Sequence, residues 1–316
     1  MAREEVTIGP LREEQLDAAE RVFRLAFGTF LRLPNPMTFT GDADYVRTRW
    51  RADPNAGFSA ESGGRLVGSN LATRWGSFAY FGPLSVHPQF WERGIAKQLL
   101  VVTMDLFERW QLRHAGLFTF AESTKHVALY QKFGFLPRFL TAIMTKAVIP
   151  TPLEPRDLRY SELAGAAQAD TLQECRSLTD SIFEGLDVSR EIQAAQVQSL
   201  GDTVLLVDDG DLRGFAVCHW GPGTEAGSGS CYIKFAAVRP GKTTAADLDR
   251  LLDACERLAA GVGMRRLIAG VNTARHGAYE GLRARAFRSE IQGVAMHRPN
   301  EPGYNRPDAY VIDDWR

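Results

Sequence analysis

Two short patterns recur along the chain at one spacing. Phe78-Ala-Tyr-Phe-Gly-Pro-Leu-Ser-Val-His-Pro88 reads as a strand closed by Val-x-Pro. A helical pattern, the apolar run Leu117-Phe-Thr-Phe-Ala121 and a second helix closing on Lys132-Phe-Gly-Phe135 follow it. Cys231-Tyr-Ile-Lys-Phe-Ala-Ala-Val-Arg-Pro240 is again a strand closed by Val-x-Pro. After it come a helical pattern, the run Leu267-Ile-Ala-Gly-Val271 and a helix closing on Arg285-Ala-Phe287. Val86 to Val238 and Phe135 to Phe287 are both offset by 152 residues. A repeat of that length means that the chain builds one plan twice, and duplication is the simplest account. The seam falls near Ile149-Pro-Thr-Pro-Leu-Glu-Pro155, whose prolines continue neither a helix nor a central strand. The expected units are residues 1–149 and 150–316.

Each half carries the same elements. Leu16, Ala19, Val22, Phe23, Ala26 and Phe27 give residues 11–31 a helical period, and Phe58–Ala60 with Arg65–Thr73 reads as a hairpin around Glu61-Ser-Gly-Gly64. The second half repeats this with a helix near 161–183 and a hairpin, Val204–Val207 then Gly214–Trp220, turning on Asp209-Gly210. Helices and strands alternate without strict βαβ regularity, so the fold class is α/β in the mixed, α+β sense. The aromatic tail from Tyr304 is too apolar for a free end, and Tyr310–Ile312 is expected to pair as a final strand.

Composition narrows the function. The 316 residues are 45% hydrophobic and 24% charged with a formal net charge of −1, which gives no electrostatic reason for nucleic-acid or membrane binding. No stretch approaches the roughly 18 apolar residues of a membrane helix, and the N-terminal residues lack the apolar run of a secretory signal. The four cysteines form no CxxC pair, so reduced thiols and a cytoplasmic location are expected. Cys218-His219 has no second ligand pair at zinc spacing, so no metal is expected. Gly241-Lys242-Thr243 lacks the first glycine of a P-loop, since Ala236 stands there. Arg283, Arg285 and Arg288 form a basic cluster that reads as a solvated face or a contact for an acidic partner.

The chemistry concentrates in Leu84–Leu100. Ile95, Leu99, Val102, Thr103, Leu106 and Trp110 share one helical face, so Glu92-Arg-Gly-Ile-Ala96 is a glycine turn where a strand meets a helix N-terminus. Free N–H groups and the helix dipole there suit a phosphate or pyrophosphate, with Arg93 and Lys97 adding positive charge. On that ground alone an ordinary tight turn is the simpler reading.

The turn does not stand alone. Val-x-Pro, five residues, Gly94-Ile-Ala96 and then Ala128-Leu-Tyr-Gln-Lys-Phe-Gly-Phe135 resemble motifs A and B of the GNAT superfamily of acyl-coenzyme A-dependent acyltransferases. The resemblance covers residues 1–146 and implies two tandem GNAT-like domains, each a mostly antiparallel twisted sheet flanked by helices. It implies that acetyl-CoA is the co-substrate, with the backbone of Leu84, Ser85 and Val86 along the pantetheine arm. Trp91, Glu92, Arg93, Gly94, Ile95, Ala96 and Lys97 would hold the pyrophosphate, with Ser123 as a polar contact. Trp91 departs from the family's Arg/Gln at its position, which puts the side-chain contribution there in question. Tyr130 falls on the family's proton donor; a phenol with an ordinary pKa near 10 is protonated at neutral pH. Its other reading is a packed aromatic. Glu122, after the fifth strand, is the candidate base for the amine, against a plain solvated carboxylate. His87 reads as exposed loop and His126 as helix surface. The loop Phe27–Asp44 is expected to shape the acceptor side.

At the repeat offset Arg93, Gly94, Tyr130 and Gly134 become Ala245, Ala246, Leu282 and Ala286. Every position with a chemical reason has changed while helical periodicity survives, so the second half reads as a degenerate copy kept for scaffold or substrate shaping. The implied function is acyl transfer, acetyl in the simplest case, to a primary amine of a small molecule or peptide by direct attack in a ternary complex. Two rivals remain: a non-catalytic acyl-CoA-binding regulatory or scaffold protein, and cofactor binding by the second half. The sequence leaves the acceptor and the oligomeric state open.

Overall fold

The structure, a computed structural model, describes residues 5–150 and 157–316, so most of the proline-rich seam lies outside the described residues. The first half runs β1 (Val6–Pro10), α1 (Leu16–Phe30), α2 (Val46–Ala52), β2 (Gly57–Ser62), β3 (Arg65–Trp75), β4 (Phe78–Phe81) and β5 (Ser85–Val86). It continues with α3 (Ile95–Arg109), β6 (His114–Thr119), α4 (Thr124–Gln131) and β7 (Leu136–Ala147). The second half runs β8 (Leu158–Arg159), α5 (Ala166–Ile182), α6 (Ser189–Val197), β9 (Gly201–Asp208), β10 (Asp211–Gly221) and β11 (Gly227–Val238). It ends with α7 (Thr244–Gly261), β12 (Arg266–Asn272), α8 (His276–Ala284), β13 (Arg288–Arg298) and β14 (Val311–Ile312). The expected helices, hairpins and final strand are all present. Among the described residues no helix is long and apolar enough to cross a membrane.

The strands join in one mixed sheet in the order β1-β2-β3-β4-β6-β13-β7-β12-β11-β10-β9-β8, with β5 on β3 and β14 on β11. Only β4–β6 and β11–β12 are parallel among these pairings. The centre of that order is an exchange that the repeat did not reveal. β7 pairs with β12, Thr141 opposite Asn272 through Ala147 opposite Arg266. β13 takes the place beside β6, Val294 opposite Thr119 through Arg298 opposite Ala115, and the two exchanged strands pair with each other. The side chains follow. Ala142 and Met144 of β7 lie in the core built on α7 and α8, while Val294 and Met296 of β13 lie in the core built on α3 and α4.

Alternation along the strands assigns the helices to two layers. In β4, Ala79 and Phe81 face the α3/α4 core, and Phe78 and Tyr80 face the core of α5 and α6. α1 is amphipathic because Leu16, Ala19, Val22, Phe23 and Ala26 fall on one face and are buried. α2 contacts α6, which places α1, α2, α5 and α6 on one side and α3, α4, α7 and α8 on the other. The four cysteines are buried free thiols.

Buried polar groups pin the tail to this frame. Arg275 donates to Asn305 (2.7 Å), the Val311 carbonyl (2.7 Å) and Asp313 (2.7 Å). Tyr304 donates to Asp313 (3.0 Å), and Trp315 Nε1 donates to the Tyr304 hydroxyl (2.7 Å). His114 Nε2 and His297 Nδ1 share a proton across 2.8 Å, and Asn305 bonds the other nitrogen of His297 at 3.1 Å. Burial pulls the imidazoles of His114 and His219 down to about 4 and that of His297 to about 3, the last with help from His114.

These shifts set the sign of the acid response. Below the free-histidine value near 6.5 the unfolded chain takes up protons that the folded chain refuses, so stability falls from about pH 6.5 towards pH 4. Glu20, which burial raises to about 7 with Asp44 adding to it, works in the opposite direction, but it is one group against three. The thermal midpoint is therefore expected to fall between pH 7 and pH 5. Replacing His297 with Asn should flatten that dependence, and Glu20→Gln should steepen it; a scan of melting temperature against pH checks both.

Candidate active site

β4 follows β6 in parallel only from Phe78 to Tyr80, opposite His114 to Gly116. Gly82-Pro83 then breaks the strand, and β5 pairs only with β3, Ser85 opposite Ser69 and Val86 opposite Gly68. The two strands splay, and the other edge of β5 faces a gap instead of a neighbour. A cleft of about 540 Å³ passes through this gap from one side of the sheet to the other.

On the α3/α4 side the cleft meets the glycine turn. Glu92 (φ 63°) and Gly94 (φ 77°) both lie in the left-handed region, which curls the peptide groups into a concavity ahead of α3. Gln98 is the first N–H to close on the helix, at 3.2 Å from the Gly94 carbonyl, so the preceding amides point outward. A Cβ built on Gly94 meets nothing within 4 Å, so the approach to the turn is open. Leu84, Ser85, Val86, Trp91, Glu92, Gly94, Ile95, Ala96 and Lys97 all line the cleft. Arg93 does not; it is exposed, its guanidinium 4.8 Å from the Phe90 ring centroid. Trp91 differs from the others in role. Its backbone N–H is spent on the Pro88 carbonyl (3.2 Å), and its indole N–H donates to the Val86 carbonyl (2.6 Å). Lys125 lies over its ring at 5.0 Å. Trp91 thus braces β5 and presents a ring where the resemblance led one to expect a free amide.

The open edge of β5, the outward amides and Lys97 and Lys125 together suit a long molecule with an amide-bearing arm and a phosphorylated end. Among the described residues no three His, Cys, Asp or Glu side chains group to hold a metal ion.

Tyr130 reaches the cleft from α4, buried, 5.8 Å from the Phe81 ring. Burial pushes its phenol well above the ordinary value, so it keeps its proton. His126, one turn earlier on α4, lines the cleft too, against Phe30 at 5.2 Å. Its Nδ1 bonds the Ser123 hydroxyl at 2.7 Å, and burial, with Lys125, lowers its pKa. Ser123 is buried behind it and does not line the cleft; its hydroxyl is already engaged. Glu122 is exposed on the turn after β6 and also stands outside the cleft, because the chain has already left the sheet there.

On the opposite side the cleft runs between α1, the loop after it, and the sheet. Phe39 and Tyr45 bring that loop into the wall, with Phe23 and Phe27 from α1. Trp315 and Arg316 arrive from the second half, as does Ile291 of β13. Gly116 makes room for the tail: a Cβ there would lie 2.6 Å from the Trp315 ring. Arg49 locks the arrangement, donating to Glu225 at 3.0 and 2.9 Å, to the Gly82 carbonyl at 2.7 Å and to the carbonyl of Arg316. Lys234 grips the same carboxylate at 2.8 and 2.7 Å, and all three side chains are buried. The two cations hold the Glu225 carboxyl below the carboxylate range.

The second half repeats the splay and closes it. Ala236 and Ala237, which correspond to Leu84 and Ser85, pair with Ile312 and Val311 of β14, and Val238 N–H donates to the Tyr310 carbonyl at 3.3 Å. The glycine turn is gone as well. α7 begins at Thr244, so Ala245 and Ala246 are wound into its first turn, and Asp247 there accepts from Thr243 (2.7 Å) and Arg213 (3.1 Å).

A mixed sheet with a splayed parallel pair, a glycine turn at a helix start and a tyrosine at the gap is the arrangement of the GNAT fold. Residues 21–135 match the model of the acetyltransferase (GNAT) family. Compared by sequence with curated proteins, the chain has no match. Its fold over nearly the whole length is similar to solved structures. One is a protein from Pyrococcus horikoshii (14% identity, TM-score 0.69, covering 100% of this chain and 96% of that one). A GCN5-related N-acetyltransferase from Sphaerobacter thermophilus gives 15% identity, TM-score 0.60 and coverage of 93% and 95%. A tandem GNAT protein from the clavulanic acid biosynthesis pathway gives 14%, 0.56, 93% and 98%.

The clamp between Arg49, Glu225 and Lys234 should be costly to break from one side. Glu225→Gln leaves two buried cations facing a neutral amide and is expected to destabilise the fold by about 3–5 kcal/mol, measured by denaturant unfolding.

Proposed function

We propose that the chain transfers an acyl group, acetyl in the simplest case, from coenzyme A to a primary amine in the cleft of its first half. The observation that supports this reading is the meeting, in one cleft, of the outward amides before α3, the unpaired edge of β5 and the protonated Tyr130. When bound, acetyl-CoA supplies a thioester whose carbonyl is the electrophile and whose sulfur is the leaving group.

The chain's own residues do the rest. The amides of Gly94, Ile95, Ala96 and Lys97, with the Lys97 ammonium, hold the pyrophosphate. The edge formed by Leu84, Ser85 and Val86 orients the pantetheine arm. Tyr130 holds a proton on its hydroxyl and delivers it to the departing sulfur. Glu122 is too far out on its turn for the base role, and among the described residues no Asp or Glu side chain lines the amine side of the cleft. The amine therefore gives up its proton to water, and held geometry supplies most of the acceleration.

The second half takes no cofactor in this reading, because β14 already fills the corresponding edge and Ala245 and Ala246 are wound into the first turn of α7. Its contribution is to shape the acceptor side through Ile291, Trp315 and Arg316. The rival reading, a non-catalytic acyl-CoA binder, shares the turn and the cleft but has no use for the Tyr130 hydroxyl.

Calorimetry with acetyl-CoA should give one site per chain in the wild type and none in Gly94→Trp, with weakened binding in Lys97→Glu. Tyr130→Phe should keep the affinity and lose about 10²-fold or more in turnover. Undiminished binding by Gly94→Trp would remove the site from the first half. Undiminished turnover by Tyr130→Phe would deny the hydroxyl its role.

A further inference from the structure

The cleft holds an imidazole that the scheme above leaves idle. His126 lines it from α4, one helical turn before Tyr130, so the two side chains share a face of that helix. Its ring packs on Phe30, the last residue of α1, at 5.2 Å, and Phe30 in turn lies 5.5 Å from Phe120, just past β6. α1 and α4 belong to opposite sides of the sheet, so His126 stands where the two arms of the cleft meet.

The two ring nitrogens differ in their surroundings. Nδ1 is bonded to the Ser123 hydroxyl at 2.7 Å, and Ser123 is buried with its N–H on the Phe120 carbonyl at 3.0 Å. Nε2 has no protein partner among the described residues, yet it is not sealed from water as both nitrogens of His219 are. With Nδ1–H donating to Ser123, the lone pair sits on Nε2, the nitrogen that water can reach. Burial, with Lys125 beside it on α4, lowers the pKa, so the ring is neutral at pH 7. α1 meets the ring with the uncharged Phe30. The other ionisable side chains lining the cleft, besides Lys125, are Glu92 and Lys97 at the glycine turn, Tyr45 and Arg316 on the acceptor side, and Tyr130. Glu20 and Asp314 have carboxylate oxygens without hydrogen-bond partners, but neither lines the cleft.

We propose that the water taking the amine's proton passes it to Nε2 of His126, and that Ser123 positions the ring for it. This rests on the acyl-transfer reading above. As the amine nitrogen bonds to the acyl carbon it carries one proton too many; a water takes that proton and gives one of its own to Nε2. Tyr130 gives its proton to the departing sulfur. The imidazolium then returns a proton to the phenolate through water. Both side chains end as they began, and the proton lost by the amine is balanced by the one gained by the thiol.

The first readout needs no acceptor. NMR of the imidazole rings, with the His126 signals identified by their loss in His126→Gln, should show the Nδ1–H tautomer at about pH 7.5 and a pKa below the free value near 6.5. CoA release from acetyl-CoA is then followed with benzylamine, spermidine and alanylglycine, and the amine used best serves for the variants. In the wild type kcat should fall in acid as Nε2 takes up its proton. His126→Gln should lose about 10²-fold in kcat together with that acid limb, and keep its affinity for acetyl-CoA by calorimetry. Added imidazole should restore about tenfold of the turnover lost by His126→Ala. Ser123→Ala removes an acceptor from the imidazolium, so its acid limb should move to lower pH.

The Nε2–H tautomer leaves no lone pair for the proton and overturns the inference. Full turnover by His126→Gln overturns it too and leaves the transferase reading standing. An acid limb that survives in His126→Gln but vanishes in Glu20→Gln or Asp314→Asn gives the proton to a carboxylate instead. Lost affinity for acetyl-CoA in His126→Gln, with no rescue by imidazole, makes the ring a cofactor contact and denies it the proton. No release with any of the three amines, by a wild type that binds acetyl-CoA, sinks the acyl-transfer reading and the relay with it, whatever the tautomer.

Discussion

A strand that leaves its own half must find its peptide partners elsewhere, and β7 and β13 find them by trading places. Each then lies between a strand of the other half and its own counterpart, so every interior peptide edge at the centre of the sheet is satisfied by the other copy. The hydrophobic accounts are crossed in the same way, because the exchanged strands carry Met144 and Met296 into cores whose helices belong to the opposite half. The cleft depends on this. β6 can splay from β4 on one side only because β13 holds it on the other, and β13 also delivers Ile291 to the acceptor wall.

The splay poses one problem twice. Where two parallel strands part, the peptide groups of the freed edge need partners, and an unpaired buried edge is expensive. In the second half the chain supplies its own partner, the short strand β14, and winds the neighbouring turn into α7. In the first half no described segment of the chain enters the gap, and the freed edge faces a cleft. The loss of chemistry in the second copy is thus compensated structurally. The tail that fills one gap also reaches across to wall the other.

Much of this was legible in the residues. The repeat, the helices and hairpins and the glycine turn before α3 follow from local periodicity and spacing, and the place of Tyr130 follows from the resemblance of Ala128–Phe135 to motif B. The strand exchange was not legible, because Leu136–Ala147 carries the same strand pattern whichever half it pairs with. The surroundings of Trp91 and Glu122 were not legible either. Whether the Trp91 amide is free depends on a turn hydrogen bond to Pro88, and whether a carboxylate reaches a cleft depends on where the chain leaves the sheet. Trp315 and Arg316 were missed as wall residues since nothing local ties a distant tail to residues 23–45. The one signal was the unusual aromatic content after Tyr304, which did announce a packed end.

The exchange has a consequence for the order of events as the chain is made. β6 is complete once residue 119 has been added, yet its second neighbour begins at residue 288. Until then the first half has a bare sheet edge and an incomplete core, and β7 has no lasting place in it. Loop closure over such a distance is slow, and exposed edges invite wrong partners. The nascent first half is therefore a species that must be kept from its neighbours on the ribosome, and its cleft takes shape only when the second half arrives.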